Sequence, residues 1–197
     1  MKRIIAIDPG LEKSGAIIWD IDNPTSEQKH SIFYSNGQLE NEQVFKCIIE
    51  HCTDETLVAI EWISSMGNVV GQDVFETILW IGQFVHFCKT VKLDCRLIPR
   101  MTIKYHHTGS RTAKDSNIAA AVREKWGEKG TKKNPGFFYG VVSHAWQAAA
   151  VAAFVVEGAE SDRELVFPFS DIIELGQERP QPQKSLLTGA GGPDPLQ

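Results

Sequence analysis

The chain has 197 residues, is 42% hydrophobic with five Trp, and carries a formal net charge of -5 at pH 7. That length and apolar content suit one globular domain with a substantial core, with or without a tail. The acidic balance argues against a protein covered in positive potential.

The first element is a strand over 3–8, Ile4-Ile5-Ala6-Ile7 ending on Asp8, and Asp8-Pro9-Gly10 turns the chain. Residues 15–20 follow at hairpin distance as an antiparallel strand, and 29–34 supply a third after the turn Asp22-Asn23-Pro24. Val44, Phe45, Ile48 and Ile49 mark a helix over 41–52. Leu57-Val58-Ala59-Ile60 is a second apolar strand, and it too ends on an acid, Glu61. Between 71 and 88 the apolar residues cover more than one helical face, which fits either a dimer surface or a wholly internal helix. A strand over 95–99 stops at Pro99. A short helix over 116–126 and a long one over 143–157, with Ser143 as its N-cap, complete the ordered part. Residues 176–197, rich in Pro and Gly toward the end, read as a flexible tail to a domain over 1–175. The pattern describes a mixed sheet with helices packed on it.

Charge is unevenly placed. Residues 96–133 hold ten Lys or Arg against three acids, so the remainder of the chain is strongly acidic. A local positive stripe suits a nucleic-acid backbone, and a solvated lysine-rich surface is the plain alternative. Cys47, Cys52, Cys88 and Cys95 form no C-x-x-C pair, and Cys47 and Cys88 read as core thiols of a reducing compartment. Asp8 interrupts the apolar start where a secretory segment would run on, and the apolar run 148–156 is shorter than the roughly 20 residues that cross a bilayer. A cytoplasmic protein with no membrane partner is expected.

The two acids are the centre of the functional reading. Apolar runs bury the strands, and carboxylates at their ends require a reason, either a capping role in the following loops or a shared divalent cation. Mg²⁺ is held by hard carboxylate oxygens, and such a site serves phosphoryl chemistry. His144 and Gln147, three apart on an otherwise apolar helix, share a face and offer further donors. A helix-start histidine making only a local hydrogen bond is the alternative for His144.

The stretches 5–15 (IAIDPGLEKSG), 58–61 (VAIE), 70–82 (VGQDVFETILWIG), 111–118 (RTAKDSNI) and 130–136 (GTKKNPG) resemble the phage-associated branch of the RuvC-type Holliday junction resolvases, within the ribonuclease H-like superfamily. The resemblance covers about 3–156. It implies an α/β fold with a mixed five-stranded sheet and flanking helices, a homodimer acting on branched DNA, and phosphodiester cleavage with Mg²⁺ or Mn²⁺. It assigns Asp8 and Glu61 to the metal, with His144 at a position where His is tolerated. Gln147 stands where the cellular branch carries a second carboxylate. Lys114 and Asp115 fall near the implied active centre, Lys114 on the scissile phosphate and Asp115 either orienting it or serving as an N-terminal helix residue. Arg111, Lys114, Lys132 and Lys133 are the implied DNA contacts. Two rival activities remain at this stage: a branched-DNA binding protein that cuts poorly, and an enzyme acting on RNA-DNA hybrids.

Overall fold

Alternation along the strands decides which side chains meet which helices. A computed structural model of the chain describes residues 3–21, 31–33, 38–63, 70–158 and 167–168, with 31–33 and 167–168 described in backbone only. Strand β1 (Arg3–Asp8) pairs antiparallel with β2 (Lys13–Asp20) and parallel with β5 (Thr56–Trp62). Beyond β2 lies β3 (Ser31–Phe33), and beyond β5 lies β6 (Asp94–Pro99), parallel to it. The mixed five-stranded sheet thus runs β3-β2-β1-β5-β6. Two residue pairs extend it, β4 (Leu39–Glu40) on β2 and β7 (Phe167–Pro168) on β6, neither of which periodicity announces because each is two residues long.

Helices cover both faces. On one face Ile5, Ile7, Ile18, Val58 and Ile60 pack against α1 (Asn41–His51) and α2 (Gln72–Thr90). On the other, Ile4, Ala6, Ile17, Ala59 and Ile98 meet α3 (Arg100–Thr108), α4 (Asp115–Trp126) and α5 (Ala145–Val156). Successive strand residues point to opposite faces, so Asp8 shares a face with Ala6, and Glu61 with Ala59. Both acids therefore lie on the α5 side of the sheet. Helix α5 buries six alanines, and such small side chains let its axis come close to the strands.

One element was unforeseen, one expectation needs correction and one of two alternatives is ruled out. The chain after Pro99 forms α3, which the sequence reading left without structure; its nine residues bury only Ile103, too little for a visible stripe. Pro99 just before it and Gly109 just after it, the latter at φ 69°, were the available boundary signals. Ser143 does not cap α5: it adopts φ 50°, and His144 takes the N-cap position. Finally α2 is not wholly internal, since Phe75 and Leu79 are 56% and 66% exposed. Cys47 and Cys88 are buried thiols, as expected. The proposed tail 176–197 and the boundary at 175 lie outside the described residues.

Candidate active site

The parallel strands β1, β5 and β6 end at the same edge of the sheet, the place where open α/β sheets bind ligands. Ile7 is in register with Ile60, so Asp8 and Glu61 are neighbours on adjacent strands. Both are buried, at 6% and 2% exposure. The turn after Asp8 is tied down by Asn41, the fully buried first residue of α1: its Nδ2 donates to the carbonyls of Gly10 (3.1 Å) and Leu11 (3.2 Å), and its Oδ1 accepts from Ser14 Oγ at 2.7 Å. Asn41 was not singled out in the sequence, because its partners lie about 30 residues away.

Helix α5 delivers the third group. His144 Nδ1 lies 3.2 Å from Asp8 Oδ2, with just over half of the imidazole exposed. This approach depends on Gly15, which pairs with Asp8 across the β1–β2 ladder. A Cβ at residue 15 would stand 2.4 Å from the His144 carbonyl oxygen, so any larger residue would push the start of α5 away. Gln147, one turn further on, is buried beside it.

A fourth group, Arg100, escaped the sequence reading except as one charge of the basic segment. It is the first residue of α3, directly after β6, and its guanidinium divides between two acids. Nη1 donates to Glu61 Oε1, and Nη2 donates to Asp115 Oδ1 at 2.8 Å. Lys104 Nζ lies 3.6 Å from the same Asp115 oxygen and donates to the Ala113 carbonyl at 2.9 Å. Asp115 therefore does belong to this edge, through Arg100. Lys114 is the exposed N-cap of α4 beside it, and Arg111 lies 5.9 Å over the Tyr105 ring.

The electrostatics are those of an acid pair short of positive charge. Burial pushes the Glu61 carboxyl up to about 7, neighbouring Asp8 pushes the same way, and Arg100 opposes both without cancelling them. The hydrogen bond to Asp8 raises the His144 imidazole above its ordinary value, against the effect of burial. Burial works against the charge on Arg100, but Glu61 and then Asp115 outweigh it and raise its pKa.

Lys132 and Lys133 are not gathered with these groups. They sit exposed on the loop closed by the Gly130–Pro135 bridge. The loop's base is held where Phe137 packs on Trp19 and Trp126, and Trp19 pairs with Ile4, four residues or about 13 Å along β1 from Asp8.

A second cluster of potential ligands stands at the other end of α5. His106, His107 and Glu157 offer ligand atoms within 4.8 Å of one another and could coordinate a divalent metal. Their polar atoms are already engaged. Glu157 accepts from Lys125 Nζ (2.6 Å), Trp126 Nε1 (2.7 Å) and His106 Nε2 (2.6 Å), while His107 Nε2 lies 2.9 Å from the Ala150 carbonyl.

The sheet order and the helices on its two faces define a ribonuclease H-like α/β fold. Among solved structures, the chain is similar to Thermus thermophilus RuvC in complex with a Holliday junction substrate, at TM-score 0.55 and 15% identity, covering 85% of this chain and 99% of that one. A second structure of Thermus thermophilus RuvC aligns at TM-score 0.56 and 14% identity over 84% of this chain and 99% of that one. No protein-family model matches the chain, nor does any curated protein. Identities this low establish the shared fold. No helix among the described residues is long and apolar enough to cross a membrane.

Proposed function

We propose that this chain is a divalent-metal-dependent endonuclease that hydrolyses phosphodiester bonds in branched DNA and resolves four-way junctions, as a cytoplasmic homodimer. The observation that carries this reading is the side-by-side placement of buried Asp8 and Glu61 at the ends of parallel strands, with His144 hydrogen-bonded to Asp8. Two carboxylates fit the oxygen-loving Mg²⁺, and the imidazole beside them makes the softer Mn²⁺ a ready substitute. A buried acid pair with too little compensating charge also fits, because a cation would relieve it. Bound there, the cation supplies an activated water and a counter-charge for the departing 3′ oxygen.

The chain's own residues position the reaction. Asp8 and Glu61 hold the cation at the sheet edge, and Asn41 fixes the turn that aims Asp8. His144, with Nδ1 tied to Asp8, either completes the ligand set or moves a proton through its other nitrogen. Lys114 and Arg111 lie close to Asp115 in the chain and serve the backbone next to the cut. Lys132 and Lys133, farther off, serve the flanking duplex. Two symmetric cuts require two active sites, and the exposed Phe75 and Leu79 on α2, beside a groove of about 650 Å³ reaching Phe45, support an isologous α2 contact.

The test compares a four-way junction with a flap, a linear duplex and an RNA-DNA hybrid in Mg²⁺. Paired symmetric cuts in the junction alone are expected. Tight junction binding with no cleavage in Mg²⁺ or Mn²⁺ would favour a binding protein, the reading to which buried Gln147 lends weight, since an amide brings no negative charge. Preferential cutting of the hybrid would move the chain to a ribonuclease H activity.

A further inference from the structure

The assignment of Asp8 and Glu61 to a cation leaves Arg100 on a carboxylate that the cation needs. Glu61 is one of the two buried carboxylates of the edge, and its Oε1 accepts directly from Arg100 Nη1. A guanidinium and a divalent cation on the same carboxylate repel each other strongly at such short range. Both draw on the one charge of Glu61, so the two compete for it. The rest of the surroundings makes the exchange easy. Arg100 exposes about a third of its side chain, at 32%, so its fork can swing without unpacking a core. Its other partner, Asp115, is half-exposed at 51% and keeps Lys104 nearby at 3.6 Å when Arg100 leaves. Arg100 begins α3 immediately beyond β6, and β6 lies beside β5 with Glu61 in register with Ile98, so a short swing keeps the guanidinium over the sheet edge.

Resting on the acid edge as the metal site, we propose that Arg100 is a phosphate-binding residue stored on Glu61 and Asp115, which the divalent cation displaces from Glu61 and which then pairs with a phosphate oxygen of the incoming DNA backbone. The two N–H groups that now meet carboxylate oxygens match the spacing of two phosphate oxygens, an acceptor arrangement for which a guanidinium is suited and an ammonium is not. In this scheme the cation-free protein presents a closed site whose charge Arg100 offsets only in part. Cation and DNA backbone then favour each other, since one frees the arm that holds the other.

The test uses the full chain. Isothermal titration with Mg²⁺ in the absence of DNA should show Arg100→Gln binding the ion about tenfold more tightly than the wild type, because the competing charge is gone. Junction affinity should be measured against salt in Ca²⁺ and again without divalent ions. Arg100→Gln should lower the slope of log affinity against log salt by about 0.9, one phosphate contact, in Ca²⁺ only. In the wild type, the Arg100 guanidinium resonances should lose their restricted rotation when Mg²⁺ is added and regain it with junction DNA, a readout that needs no variant to fold. Unchanged or weaker Mg²⁺ binding by Arg100→Gln, an equal slope change with and without Ca²⁺, or guanidinium resonances indifferent to Mg²⁺ would each overturn the proposal. Asp8→Asn and Glu61→Gln in the same titration separate the two levels. If they weaken Mg²⁺ binding and Arg100→Gln does not strengthen it, the stored-arm idea alone fails. If they leave Mg²⁺ binding unchanged, the metal assignment fails first.

Discussion

Helix α5 has a carboxylate and an imidazole in contact at each end, and the two pairs are built to opposite specifications. At its start, Asp8 meets His144 at 3.2 Å, with Glu61 buried alongside. At its finish, Glu157 meets His106 at 2.6 Å, and Lys125 and Trp126 complete the shell. Burial pushes Glu157 up, yet hydrogen bonds from Lys125, Trp126 and His106 outweigh it and leave the carboxyl below its ordinary value. Glu61 moves the other way because burial and Asp8 win over Arg100. A carboxylate at a helix C-terminus also opposes the helix dipole, which is one more reason for three donors there. A saturated knot locks structure, and an under-compensated one is ready to take a cation and react.

The most direct way to break this contrast is to remove one acid from each end. Asp8→Asn is expected to bring junction cleavage to background while junction binding in Ca²⁺ persists. Glu157→Gln should leave cleavage nearly intact and cost about 1–3 kcal/mol of stability, read from urea denaturation, as a nearly buried network loses its charge and one of its two acceptor oxygens. A loss of cleavage in the second variant with normal stability would place chemistry at the wrong end of the helix. Gly15→Ala sharpens the comparison by moving only His144. The added methyl meets the His144 carbonyl at 2.4 Å, and a displacement of this size is expected to slow cleavage by about 10²-fold. Calorimetry then assigns the role of His144: unchanged Mg²⁺ affinity marks it as the proton carrier, and weakened affinity marks it as a ligand.

The smallest effect is in pH, and its sign differs between the ends. Glu61 holds its proton up to about 7 in the folded chain against an ordinary 4.5, so between those values the folded state binds more protons than the unfolded one. Cation-free stability should therefore fall as pH rises through that window, and Glu61→Gln should flatten the fall. His144, raised by Asp8, adds a loss of the same sign above its ordinary 6.5. Glu157 contributes the reverse, stability present above 4.5 and lost as pH falls through its depressed value. Thermal melts from about pH 2 to 8 in chelator, on wild type and the two Gln variants, resolve the opposing slopes.

Asp8 and Glu61 were legible in the sequence because each closes a four-residue apolar run, and the two-residue period then sends both to one face. His144 was legible as a polar residue on an apolar helix, but its backbone was not, since neither the positive φ of Ser143 before it nor the close approach of the His144 carbonyl to Gly15 follows from a capping preference. Arg100 was hidden by distance along the chain: its partners are 39 and 15 residues away, and the helix it begins buries too little to show a stripe. Glu157 met the same obstacle, with His106 51 residues away and Trp126 31. Local patterns report faces and caps, whereas pairing between elements depends on how they finally stack.

One further consequence lies in the alanines of α5. A twelve-residue helix is a rod of about 18 Å, and this one beds on the strands through buried methyl groups that bring the two backbones close. The Glu157 knot then works as the fixed jaw of a gauge, and the distance from it to His144 is set by the rod and by nothing softer. A bulkier residue at Ala148 or Ala152 would lift the rod from its bed and open the gauge at the Asp8 end, although it touches neither histidine.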